Sequence, residues 1–127
     1  MAKPNCTTYA APSNLEELAE KKGLVVVYPK MDELFLDIDS SEAFGRFEEH
    51  LYILDREMPG FLLEVRSEPS ASGGEHRHIT LTLNRYVAAE ERILLQAILG
   101  SDPKRELLSY IFFSRGREKP TCFFEKP

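Results

Sequence analysis

The sequence predicts an α+β domain in which a small sheet carries helices on one face. Three observations predict it. Leu34-Phe35-Leu36-Asp37-Ile38-Asp39 alternates strictly, with Leu34, Leu36 and Ile38 on one side, and His76–Leu83 alternates in the same way. Between them, Phe44, Phe47, Leu51, Leu54 and Met58 recur at helical spacing. The 127 residues suit one conventional core, with residues 1–12 as a flexible N-terminal arm and 13–127 as a single domain.

The elements follow in order. Ser13-Asn14-Leu15-Glu16 has the pattern of a capping box and predicts a short helix to Lys22, closed by Gly23. Leu24–Tyr28 is β-branched and reads as a strand, and Pro29-Lys30-Met31-Asp32 turns the chain into the strand that ends at Asp39. Asp39 or the serines after it cap the next helix, which Pro59-Gly60 ends. Phe61–Ser67 reads as a strand with Phe61, Leu63 and Val65 on one side and Leu62, Glu64 and Arg66 on the other. A serine- and glycine-rich loop precedes the strand His76–Leu83, where His76, His78, Thr80 and Thr82 share one face. Ala88–Leu99 and a segment opened by Asp102-Pro103 read as helices, and Thr121–Lys126 as a last strand.

From Leu34 onward this is the βαββαβ order of ferredoxin-like and RRM-like domains, preceded by an N-terminal helix and strand. In that order the third strand inserts between the first two and runs antiparallel to both, two right-handed crossovers put the helices on one face, and the other face is open. The topology sets the end of the first strand beside the start of the third. Asp37 and Asp39 therefore meet His76 and His78, all with the parity of the open face, which Glu64 and Arg66 share. Adjacent carboxylates repel unless a cation lies among them. Two carboxylates with imidazoles form an oxygen/nitrogen set suited to Mg²⁺, Mn²⁺ or Zn²⁺. An RNA-recognition sheet would instead place aromatics there to stack bases.

These residues resemble the archaeo-eukaryotic primase superfamily, in particular a minimal or degenerate phage- or plasmid-type primase-polymerase. Leu36-Asp37-Ile38-Asp39 is similar to its hydrophobic-Asp-hydrophobic-Asp motif, and Ser72-Gly73-Gly74-Glu75-His76, after the strand bearing Arg66, to its small-residue–histidine motif. The resemblance implies metal-dependent nucleotidyl transfer in DNA replication, or nucleotide or nucleic-acid binding by a minimal relative. It implies Mg²⁺ or Mn²⁺ on Asp37 and Asp39, catalysis by these acids and His76, and nucleotide contacts from Arg66, Ser72, Gly73, Gly74 and His78. The implied partners are a nucleoside triphosphate and nucleic acid. The third motif, a hydrophobic residue followed by Asp, has no clear counterpart: Asp102 follows a serine at a helix cap, and Glu125 is a poor substitute. The chain is also short for a full polymerase of this type.

Other readings compete. His76-Arg77-His78 resembles the histidine pair of HUH single-strand DNA nucleases, with Arg at the middle position and Tyr110 in the last helix as the nucleophile, where Phe113 stands in place of that family's lysine three positions on. His78-Ile79-Thr80 matches one half of the two-histidine phosphoesterase motif, without the second copy. A non-enzymatic interaction or accessory module, binding a protein partner or a second copy through its sheet, needs no metal at all. Lys104, Arg105, Arg115, Arg117 and Lys119 can meet phosphate at a helix start or simply face solvent. The formal charge of −5 argues against a sequence-independent nucleic-acid coat. Cys6 and Cys122 lack metal spacing and read as reduced thiols of a cytoplasmic protein, and no apolar run reaches membrane-spanning length.

Overall fold

The computed structural model describes residues 14–70 and 73–127. Its elements are α1 (Leu15–Lys21), β1 (Val25–Val27), β2 (Glu33–Ile38), α2 (Ser41–Glu57), β3 (Leu62–Pro69), β4 (Arg77–Leu83), α3 (Ala89–Ile98), α4 (Pro103–Ser114) and β5 (Phe123–Glu125). The fold is α+β, with two small antiparallel sheets and four helices among these residues. The arm 1–12, Ser13 of the expected capping box and Ser72 lie outside the described residues. Asn14 caps α1, its side chain accepting the Glu17 N–H at 3.0 Å.

One sheet has the order β2-β4-β3, with β4 antiparallel to both neighbours, as its alternation and connections require. On one face, Leu34, Leu36, Ile38, Ile79, Leu81 and Leu83 are almost wholly withdrawn from water. α2 closes over them with Ala43 and Phe47, and Phe44, Leu51 and Leu54 pack at the margin. Each fully buried aliphatic side chain contributes about 1.5–3 kcal/mol relative to exposure, so this layer anchors the domain. Ser40 starts α2 by accepting the Ala43 N–H at 3.1 Å. Gly100, at φ +96°, lets the α3–α4 connection pass close to α2: a Cβ there would lie 3.4 Å from the Ala43 carbonyl oxygen.

The structure corrects three expectations. The last strand does not join the main sheet; β5 pairs antiparallel with β1, with Val26 opposite Phe124. The reason is that the outer edge of β2 is already occupied. Its odd residues direct their backbone groups away from β4, and α3 and α4 meet those groups with side chains. Gln96 Oε1 accepts the Phe35 N–H at 2.8 Å, Ser101 Oγ accepts the Asp37 N–H at 3.0 Å, and Arg92 Nε donates to the Glu33 carbonyl at 2.8 Å. α3 and α4 thus run beside this edge instead of sharing a face with α2 alone.

The second correction concerns the face expected to be open. Phe35 on that face is only 4% exposed. The Phe123 ring of β5 lies parallel to it, with centroids 4.2 Å apart. The third concerns β3. A bulge between Leu62 and Glu64 shifts its register by one residue, so Leu62, not Leu63, packs against the core and Leu63 is 63% exposed. An inserted residue reverses side-chain parity beyond it, which strict alternation cannot anticipate.

Candidate functional site

The site is built on the end of β2. Because odd residues of β2 bond outward, Asp37 is fixed through its backbone: its carbonyl accepts the Asp102 N–H at 2.7 Å, while its own N–H goes to Ser101. The α3–α4 connection is thereby tied to the strand at Asp37. Asp102 also caps α4, accepting the Lys104 N–H at 3.2 Å, with Pro103 as the first helical residue.

Across the strands, Asp37 stands directly opposite His78 and Ile38 opposite Arg77, the meeting that the strand order requires. The imidazole of His78 lies flat against Phe123, with centroids 3.9 Å apart and an interplanar angle of 1°. Arg105 completes the group. Its guanidinium donates to the carbonyls of Phe35 (2.5 Å) and Cys122 (2.9 Å) and to the Glu106 carboxylate (2.6 Å), and it lies 5.5 Å from the Phe123 ring centroid. Arg105 therefore joins β2 to the segment leading into β5. It is not the solvated helix-start cation that the sequence allows.

The electrostatics follow from this packing. Burial pushes the Asp37 carboxyl above the usual carboxylate range; Arg105 pulls it down, Asp102 pushes it up, and His76 and Asp39 add smaller effects of opposite sign. Burial first, then the nearby charges of Arg105 and His76, lowers His78 to about 4. At neutral pH His78 is a neutral ring against an aromatic.

The structure gathers some of the expected residues and separates others. Asp37 and His78 meet, and Asp39 and His76 lie within electrostatic reach of Asp37. Arg66 does not join them; its guanidinium goes to the buried Glu33 at 3.2 Å, near the opposite end of β2. Gly73 and Gly74 both have positive φ, +75° and +65°, which the tight reversal between β3 and β4 demands. Among the described residues, no group of three or more His, Cys, Asp or Glu side chains is gathered as a metal cage. Tyr110 is exposed on α4.

Sequence reading did not single out Ser101, Gln96 or Phe123. The carbon-rich Cys122-Phe123-Phe124 run was a signal for Phe123, but its target on the sheet depends on where β5 lies. Beside the site is a cleft of about 1100 Å³ whose wall includes Asp37, His78, Lys104, Arg105, Phe123 and Phe124. Lys22 and Lys126 add positive charge to its rim, and Leu18, Leu24, Leu108 and Phe112 give it an apolar side. No family model, no curated protein and no solved structure matches this chain. Among the described residues, no helix is long and apolar enough to cross a membrane.

Proposed function

We propose that this chain is a nucleotide- or nucleic-acid-binding domain, a minimal primase-like relative, whose ligand enters the cleft beside Asp37 and His78. The observation that carries the reading is the composition of that wall: Phe124 and Lys104 line it, with Lys22, 5.7 Å from the Phe124 ring centroid, and Lys126 at the rim. A nucleotide presents a flat π-face and a multiply charged phosphate, and aromatics beside cations are the groups that take both. The β2-β4-β3 order, the α2 crossover and the Leu36–Asp39 motif support a ferredoxin-like, primase-like core for this reading.

Asp37, Asp39 and Asp102 form no preformed cage, and the positive group facing Asp37 is Arg105. A second reading, metal-dependent nucleotidyl transfer, draws on one specific observation: the Asp102–Asp37 backbone bond brings a third carboxylate to the motif.

Calorimetry with nucleoside triphosphates and single-stranded oligonucleotides, each with and without Mn²⁺, tests both readings. The binding reading expects saturable heat that Phe124→Ala and Lys104→Ala each weaken by about tenfold, a loss of about 1.4 kcal/mol. Absence of heat with every nucleotide and oligonucleotide sinks it. Heat that appears only with Mn²⁺ and vanishes in Asp37→Asn favours the transfer reading.

A further inference from the structure

We infer that the outer edge of β3 is a homodimer interface, in which two copies pair β3 antiparallel about a two-fold axis through Val65 and extend the sheet from three strands to six. The inference is independent of the cleft, which lies toward β2.

Strand parity supplies the first argument. Glu33, Phe35 and Asp37 bond outward from β2, so Leu34, Leu36 and Ile38 bond to their β4 partners Leu81, Ile79 and Arg77. His78, Thr80 and Thr82 must then turn their backbone groups to β3, where they meet Glu68, Arg66 and Glu64. Val65 and Ser67, between those residues, direct their N–H and C=O groups away from the sheet. Among the described residues β3 is the longest strand, and none of them forms a strand partner on that side.

Charge supplies the second argument and selects the occupant. With Val65 opposite its own copy, the two valines exchange both backbone bonds, and Leu63 falls opposite Ser67. Glu64 then stands opposite Arg66 of the second copy, and Arg66 opposite Glu64, as non-hydrogen-bonded pairs whose side chains approach closely. Their side chains are half-exposed, at 59% and 51%. Shifting the axis by one residue sets Arg66 against Arg66 or Glu64 against Glu64, and like charges directly opposite are destabilising. Shifting it to Ser67 brings Pro69, which has no N–H, opposite Val65. In the Val65 register the strand is self-complementary, as an isologous two-fold contact requires. Leu63 and Val65, 63% and 43% exposed, lose apolar surface to water in that pairing.

Sedimentation equilibrium of the full chain tests this. The expected mass rises from 14.5 kDa toward twice that value as concentration increases. Val65→Pro removes an outward N–H that no intramolecular ladder uses, so it weakens self-association by at least about tenfold while the far-UV spectrum stays native. Glu64→Arg alone is monomeric, Arg66→Glu alone is monomeric, and an equimolar mixture of the two forms a mixed dimer. Should Arg66→Glu unfold because it faces Glu33, Val65→Pro and Glu64→Arg decide the matter together. A mass of 14.5 kDa at every concentration overturns the inference, as does a dimer that survives both of those variants.

Discussion

The two edges of the three-stranded sheet meet the same chemical problem in opposite ways. Every edge strand carries a row of backbone donors and acceptors without a ladder partner. At β2 the row is buried, so protein must satisfy it: Arg92, Gln96, Ser101, Asp102 and Arg105 each bond an outward group of residues 33–37. At β3 the row faces water, and almost every residue of the strand is exposed. Water is excluded from one edge and not the other, which explains why one carries a built hydrogen-bond network and the other an alternating row of charges. The difference teaches where function can sit. The buried edge holds Asp37 in a fixed place, while the exposed edge can accept another strand.

Breaking the buried edge gives the largest expected effect. Gln96 is fully buried and bonds both the Phe35 N–H and, at 2.9 Å, the Glu106 carboxylate. Gln96→Leu leaves both without that partner, and urea denaturation is expected to show a loss of about 2–4 kcal/mol. Ser101→Ala orphans only the Asp37 N–H and is expected to cost about 1–2 kcal/mol by the same measurement. If Gln96→Leu proves neutral, the side-chain closure of β2 is not a stabilising feature.

The pH dependence sharpens the contrast next. His78 titrates at about 4 in the fold against an ordinary value of 6.5, so the unfolded chain binds its proton more readily. Its contribution is fully present above about pH 6.5 and is lost as pH falls toward 4. His78→Gln should flatten this acid limb in calorimetric melting curves recorded across that window. Asp37 acts in the other direction. With its carboxyl pushed above 3.8, the folded state holds that proton more tightly, so acidification just above this value favours the fold. Asp37→Asn should therefore steepen the loss that His78→Gln removes.

The exposed edge gives the smallest stability effect. Glu64→Ala, measured in dilute solution where the chain is monomeric, should change stability by no more than about 0.5 kcal/mol. A loss comparable to that of Ser101→Ala would mean that β3 relies on its charges as β2 relies on its clamps.

Much of the fold is legible in the sequence. The alternation of Leu34–Asp39 and of His76–Leu83, the helical spacing from Phe44 onward and the Asp102-Pro103 cap each appear where the residues place them. Asp37 opposite His78 was legible too, because the strand order leaves those two ends no other neighbour. The bulge at Leu62 to Glu64 was not, since its cause is how β3 meets β4 and not the composition of β3.

What the sequence determined by itself is local and periodic: which segments are strands or helices, where they stop, and which residues of β2 and β4 share a face. These follow from side-chain period, caps and turns, whose physics acts over a few residues. Only the tertiary structure decided the company that Asp37 keeps. Arg105 is 68 residues away and Phe123 is 86, and both reach the site because β2's outer edge was closed by the α3–α4 pair and β5 was left to pair with β1. That choice depends on which distant donors and acceptors can satisfy a buried backbone once water is excluded, and no local pattern records it.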